Sequence, residues 1–314
     1  MTQLIRDCAD YLGLTVGELL TIARTAPKRY YVWELPKRSG HGMRTVCHPA
    51  RELKAVQYFF LRNILNNLPT HPAATAYKIG SSIARNARQH AHSRVILKLD
   101  FVNFFNSLRV INWLRYSSDN FSSWTIDDFD FSSRILFWGL GSYTPKCLAI
   151  GAPTSPSLSN ALMYEVDHKI SEFASSKGYT YTRYADDITL SSSDHIIFEP
   201  AINAIRRILR EARYTSVEIN ENKTVLASNG SARHVTGLTV TPTGEISLGR
   251  ERKRLISSMV HRAINGRMPA EELPKLSGLL AFAIDVEPDF VDRLRRKYSQ
   301  SAIAHIMRHG SGRI

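Results

Sequence analysis

The chain has 314 residues, is 43% hydrophobic and carries a formal net charge of +13 at pH 7. That length suffices for a large buried core, and no apolar run approaches the roughly 18 residues of a membrane span, so a folded soluble protein with a polyanionic partner and no membrane is expected. Cys8, Cys47 and Cys147 lie far apart without a Cys-x-x-Cys pair, and the opening MTQLIRDCADYLG carries charge where a signal peptide is apolar; a zinc site and a disulfide framework are not implied, and a reducing cytoplasmic setting fits.

In chain order, LTVGELLTIAR offers a capping box from Thr15 to Glu18 ahead of a short helix. PKRSGHGMRTVCHPA reads as a Gly-containing hairpin turn and a strand ended by Pro49. In RELKAVQYFFLRNILNNL the spacing of Leu53, Val56, Phe60 and Ile64 predicts a helix, leaving Arg51, Lys54 and Arg62 towards solvent or phosphate. RVILKLDFVNFF predicts a buried strand ending at Asp100, and TIDDFDF is an acidic run suited to a loop or a partner surface. In APTSPSLSNALMYEVDHKI, Ser155 is placed as an N-cap with Pro156 at the first helical position. YTYTRYADDITLSS predicts a hairpin, FEPAINAIRRILREA an amphipathic helix, and HVTGLTVTPTGEISLG a hairpin turning near Pro242-Thr243-Gly244. From Arg250, the apolar residues Leu255, Met259, Ala263, Ile256, Val260 and Ile264 predict one helix face, with Arg250, Arg252, Lys253 and Arg254 clustered in the first turns.

Charge is uneven along this order. Residues 1–100 hold 15 Lys/Arg against 6 Asp/Glu, whereas residues 101–200 hold 7 against 11. A phosphoryl-transfer enzyme needs that arrangement, with carboxylates for a divalent cation and basic flanks for backbone phosphates; scattered surface charge is the plainer alternative. Asp186 and Asp187 sit side by side where two β-prone runs meet, and close carboxylates raise each other's pKa unless a cation neutralises them. The pair is therefore a metal site or a solvated turn. Asp100, 86 residues earlier at a strand end, would complete a site for two Mg²⁺ ions roughly 3.5–4 Å apart, the arrangement that clamps both oxygens of an in-line displacement.

The segments LKLDFVNFF, IGAPTSPSLSN, YADD and VEINENKT, in this order, resemble the successive palm motifs of reverse transcriptases, and MRTVCHPARELKAVQ resembles their fingers segment. NARQH at 86–90 matches the Asn-Ala-x-x-His pattern of the retron subgroup, and VTG at 235–237 its Val-Thr-Gly signature. The resemblance implies an α+β right-hand polymerase: N-terminal helices and fingers over residues 1–95, a palm of antiparallel sheet and helices over 96–230, and a helical thumb over 231–314.

On this sequence the resemblance implies that Asp100, Asp186 and Asp187, with the backbone carbonyl of Phe101, hold two Mg²⁺ ions. Phe105 would lie beneath the incoming sugar and exclude a 2′-hydroxyl, with Phe104 as the core phenylalanine because strand neighbours face opposite sides. Arg44 and Lys223 would neutralise the triphosphate, and Gly151 would let the backbone approach the nucleotide. Ile150 departs from the family, where many members have Gln, which removes a side-chain hydrogen bond to the nucleotide. Asn86, His90, Val235, Thr236, Gly237, Arg250, Arg252, Lys253 and Arg254 would bind RNA, although Asn86 and His90 could instead satisfy core hydrogen bonds and Gly237 could serve a hairpin angle.

The implied activity is RNA-directed DNA synthesis from deoxynucleotides on a structured noncoding RNA of the msr-msd type. Synthesis would be primed by a guanosine 2′-OH, giving branched multicopy single-stranded DNA, with an effector protein as partner in antiphage defence. A noncatalytic RNA-binding scaffold and other bacterial reverse transcriptase classes, group II intron-like, diversity-generating or phage-exclusion, are the alternatives.

Overall fold

The first two helices begin where the sequence supplies a hydroxyl. In the computed structural model, which describes residues 1–36, 42–194, 199–228, 231 and 233–310, the Thr2 side chain accepts from the Ile5 N–H ahead of α1 (Gln3–Leu12). Thr15 and Glu18 form the expected capping box on α2 (Val16–Thr25), satisfying N–H groups that the helix itself cannot. β1 (Tyr30–Pro36) and β2 (Met43–Pro49) pair antiparallel from Tyr30↔Pro49 to Pro36↔Met43; most of the turn expected between them lies outside the described residues. In α3 (Arg51–Asn63), Leu53, Val56 and Phe60 are buried as their spacing requires. Ile64 falls past the last turn and is half-buried, while Phe59 and Leu65 are buried instead.

The chain continues through α4 (Ile83–Gln89), β3 (Val95–Asp100), α5 (Phe104–Ser107), α6 (Val110–Asn120) and α7 (Ile126–Leu136). The acidic run is not a loop: it opens α7, where the Asp128 carboxylate accepts from the Thr125 N–H at 2.9 Å while Ile126, Asp127 and Asp130 stay exposed. Next come α8 (Ser155–Leu162), α9 (Tyr164–Ser176), β4 (Thr180–Tyr184), β5 (Asp187–Ser192), α10 (Glu199–Arg210) and β6 (Val225–Ser228). At α8 the boundary is shifted by one. Thr154, with no side-chain cap bond, is the N-cap, and Ser155 is already helical; the fixed φ of Pro156 sets the first turn and no hydroxyl cap is needed. β7 (Arg233–Val235), β8 (Leu238–Val240), β9 (Ile246–Ser247), α11 (Arg250–Ile264), α12 (Leu273–Val286), α13 (Pro288–Tyr298) and α14 (Gln300–Gly310) complete the chain. No helix of the described residues is long and apolar enough to cross a membrane.

Four strands pair in the order β4-β5-β3-β6, and three in the order β7-β8-β9. The chain divides into two compact units, one of residues 1–79, 98–188 and 197–225, the other of residues 80–97, 189–196 and 226–314. This groups α4 with the C-terminal elements, whereas the sequence places residues 1–95 in one region. In the first unit Trp113 is completely buried and its indole N–H donates to Ser132 Oγ at 3.0 Å. The second unit packs Ala84 and Ala87 of α4 with Val235, Leu238, Ile256 and Leu280 in one apolar core.

Two expectations for the second unit change. Leu255 and Ile264 are exposed, because the buried stripe of α11 runs through Ile256, Met259 and Val260 and Leu255 stands 100° round from Ile256. The single hairpin expected near Pro242 is a three-stranded antiparallel meander. Its first turn is Thr236-Gly237, both at positive φ (47° and 77°), the mirror-image turn whose twist suits two-residue hairpins. A Cβ on Gly237 would meet nothing within 4 Å, so Gly237→Ala costs only the left-handed backbone, about 1 kcal/mol. Urea denaturation followed by circular dichroism is expected to show that loss, and Gly237→Asn a smaller one; equal losses would refute the turn assignment.

Candidate active site

Asp100 ends β3, and the 218–220 segment fixes the backbone there. The Asn220 N–H donates to the Asp100 carbonyl at 2.7 Å, and the Val102 N–H to the Glu218 carbonyl at 2.9 Å. Phe101 forms an antiparallel bridge with Ile219 between those two bonds, so its own N–H and carbonyl point away from that segment. The Phe101 ring is buried and stacks on Phe104, 5.6 Å between centroids. The same segment leads into the turn carrying Lys223, whose Nζ lies 3.0 and 3.1 Å from the two Asp100 carboxylate oxygens.

Asp186 occupies the turn between β4 and β5, and Asp187 is the first residue of β5, the strand next to β3. Burial raises the pKa of Asp186, and the Asp100 charge raises it further. Asp187 is pushed up to about 6, chiefly by burial and then by Asp186 and Asp100, with Lys98 and Lys223 opposing. Asp186 and Asp187 therefore both lie in the field of Asp100. Among the described residues no three acidic, His or Cys side chains stand close enough to hold a metal ion as they are. Their chemistry nonetheless fits Mg²⁺: hard oxygen donors whose mutual repulsion a cation relieves. Lys223 covers Asp100, yet its side chain is 57% exposed, and so exposed a pair is weak enough to be displaced.

Beneath the turn lies a group that the spacing of motifs does not reveal. The Arg183 side chain is completely buried, as is that of Asp167 on α9. Arg183 donates through Nε to Asp167 Oδ1 at 2.8 Å and through a terminal nitrogen to Oδ2 at 2.6 Å. It also donates to Asn160 Oδ1 at 3.2 Å, and to the carbonyl of Ala185 at 2.9 Å. Its guanidinium lies over the Phe104 ring at 5.9 Å, and the Tyr181 hydroxyl donates to Asp167 Oδ1 at 2.7 Å. Ala185 has φ 58°, a conformation costing an L residue roughly 1–2 kcal/mol, and the Arg183 bond to its carbonyl holds it one residue before Asp186. One signal was available: Asp167 shares the apolar face of its helix with Val166, Ile170 and Ala174, where a lone carboxylate demands a buried partner.

The remaining expected residues separate into two sets. Arg44 is exposed on β2, and its charge lowers the pKa of Asp186. Phe104 is buried and Phe105 half-buried; both lie on α5, so the 100° helical step, not strand alternation, separates them. Gly151 has φ 111°, and a Cβ there would lie 2.9 Å from the Cys47 carbonyl oxygen. The close approach it permits in this structure is therefore to β2, where the Cys47 N–H also donates to the Ile150 carbonyl at 2.7 Å.

Several residues expected on RNA face protein. Asn86 and His90 are completely buried; His90 Nδ1 is 2.7 Å from Ser191 Oγ, and burial pushes its pKa down to about 4, leaving it neutral. Within this motif the exposed side chains are Arg88 and Gln89. Val235 is buried, and the Thr236 hydroxyl donates to the Ile83 carbonyl at 3.0 Å. Lys253 is 3.0 Å from Glu287, and Arg252 is half-buried over the Phe282 ring. Arg250 and Arg254 are the two exposed members of that cluster.

The family model described as reverse transcriptase (RNA-dependent DNA polymerase) matches residues 35–241. The Retron Ec83 reverse transcriptase of Escherichia coli is 35% identical over 298 residues, 93% of this chain and 94% of its own length. The Retron Mx65 reverse transcriptase of Myxococcus xanthus is 32% identical over 308 residues, 93% of this chain and 70% of its own. Among solved structures, the telomerase of Candida albicans, determined with a TWJ fragment of telomeric RNA, is similar with a TM-score of 0.51 at 15% identity, over 92% of this chain and 56% of that one. That likeness concerns the fold, an α+β polymerase fold.

The buried pair makes a direct prediction. Asp167→Ala leaves a guanidinium charged and unpaired in a dry interior, at a cost of about 3–5 kcal/mol, whereas Asp167→Asn keeps an acceptor for Arg183 and costs less. Thermal unfolding is expected to place both below wild type and in that order, and wild-type melting temperatures in both would contradict the charge-pair account.

Proposed function

The chain belongs to the reverse transcriptases, and within them to the retron enzymes, and from that premise we propose that it copies part of a structured noncoding RNA into single-stranded DNA. It is an RNA-directed DNA polymerase. The primer in this reading is the 2′-OH of a guanosine within the RNA, so the product is a branched RNA–DNA molecule, multicopy single-stranded DNA. An effector protein that joins this complex in antiphage defence completes the proposal.

The observation that carries the reading is that β3, which Asp100 ends, pairs with β5, which Asp187 begins, so that the Asp100 charge acts on Asp186 and Asp187. Asp100, Asp186, Asp187 and the Phe101 carbonyl would hold two Mg²⁺ ions, which when bound activate the attacking hydroxyl and stabilise the leaving pyrophosphate. The chain's own residues then position and neutralise. Arg44 offers a planar fork to the triphosphate from β2. Lys223, released from Asp100, becomes a point charge for the same phosphates or a proton donor to the leaving group. Phe105 presents a half-buried ring where a deoxyribose passes and a 2′-hydroxyl clashes. Exposed Arg250 and Arg254 suit contact with backbone phosphates of the RNA.

Asp186→Asn is expected to reduce DNA synthesis by at least about a thousandfold while RNA affinity, measured by filter binding, stays within about threefold, a difference well under 1.4 kcal/mol. Lost RNA binding with unimpaired synthesis would refute the assignment. Sequencing of nucleic acid bound to the purified protein, before and after debranching enzyme, is expected to give short DNA joined to RNA through a 2′,5′ linkage. RNA without linked DNA would contradict the synthetic role, and unbranched DNA would move the enzyme to another reverse transcriptase class.

A further inference from the structure

Tyr77 has φ 63°, a left-handed backbone that a bulky aromatic residue adopts only where its surroundings impose it. Those surroundings are visible. Ala74 pairs with Arg183 in a parallel bridge, the Arg183 N–H donates to the Ala73 carbonyl and the Thr75 N–H to the Arg183 carbonyl, both at 2.8 Å. Asn160 Nδ2 donates to the Ala76 carbonyl at 3.1 Å. Ala73, Thr75 and Ala76 are thus tethered to the buried Arg183–Asn160 network, and the chain reaches Tyr77 with little freedom left.

The ring is delivered against Phe105, 6.4 Å between centroids and tilted by 51°. Phe105 also rests on buried Phe104, 5.3 Å away at 65°. Phe105 therefore touches both a fixed core ring and Tyr77. Packing alone is a weak reason for this Tyr, because it is 49% exposed and recovers only part of the apolar burial that would offset a strained backbone. The gain must lie in what the ring does to its neighbour.

Resting on the reading of Phe105 as the residue beneath the incoming sugar, we propose that Tyr77 is a positioning residue for sugar selectivity: its half-exposed ring props Phe105 and keeps it where a ribose 2′-hydroxyl would clash. Without that prop, Phe105 can rotate towards the space vacated and admit a ribonucleotide.

The test is single-nucleotide extension with a deoxynucleoside and the matching ribonucleoside triphosphate, kcat and KM being measured separately for wild type, Tyr77→Phe, Tyr77→Ala and Phe105→Ala. Tyr77→Ala is expected to raise the ribonucleotide's kcat/KM relative to the deoxynucleotide's by about tenfold, the size expected on loosening one apolar wall of a pocket, mainly through ribonucleotide KM. Tyr77→Phe, which keeps the ring, is expected to retain wild-type selectivity. Phe105→Ala is expected to lose at least as much selectivity, with little further loss when the two are combined. Tyr77→Asn, tolerant of a left-handed backbone, replaces the alanine variant if that one unfolds. Wild-type selectivity in the ringless Tyr77 variants, with selectivity lost in Phe105→Ala, would overturn the proposal alone. Unchanged selectivity in Phe105→Ala would overturn the reading of Phe105 and the proposal with it.

Discussion

The buried ion pair between Arg183 and Asp167 is the constraint on which the candidate active site depends. A guanidinium without solvent access must have its charge and N–H groups met by protein, and here the partners come from four places: Asp167 on α9, Asn160 on α8, the Ala185 carbonyl in the β4–β5 turn, and the face of Phe104. Each partner is thereby tied to the others. The turn that carries Asp186 cannot move without breaking a hydrogen bond to a buried charge. Through its backbone, Arg183 also holds the segment before Tyr77. Planarity matters, because one Arg side chain can serve a carboxylate through two nitrogens and still reach a carbonyl and an amide. A Lys cannot.

Such a foundation answers an electrostatic need. The Asp100 charge raises the cost of ionising Asp186 and Asp187, and Asp186 adds to that of Asp187; a flexible turn would relieve that cost by swinging a carboxylate into solvent. Holding the turn from below keeps the repulsion in place, and with it the affinity for a compensating cation. Lys223 shows the demand directly, bridging both oxygens of Asp100. The excess of acid in the middle hundred residues of a chain with net charge +13 finds its explanation partly here. Part of it is structural elsewhere: Asp128 caps a helix and Asp167 is the counter-ion of Arg183.

Much of this was legible in the sequence because it follows local rules. A strand ending in Asp100, a hairpin turning at Asp186, and the Thr15–Glu18 capping box each rest on a few adjacent residues whose periodicity or cap chemistry is decisive. What was not legible depends on residues distant in sequence. Arg183 in YTYTRYADD looks like an ordinary strand charge until Asp167, sixteen residues away, is seen to be buried beside it. Asn86 and His90 are polar residues in a basic motif, so sequence alone leaves both RNA contact and core hydrogen bonding open; only folding shows them inside. Lys253 and Arg252 likewise lose their surface role to Glu287 and Phe282. Leu255 and Ile264 were misassigned for a different reason. A wide apolar stripe fits helical periodicity on either flank, and only the neighbours decide which flank is covered.

The most direct test of this account is a titration of the metal-free protein with Mn²⁺, followed by water-proton relaxation, for wild type and Arg183→Lys, with circular dichroism confirming that both are folded. If the buried guanidinium holds the carboxylate-bearing turn in place, the Lys variant is expected to keep its fold and lose divalent-cation affinity by at least about tenfold, or 1.4 kcal/mol. Equal affinity in a folded Arg183→Lys protein would contradict the claim that the pair builds the site.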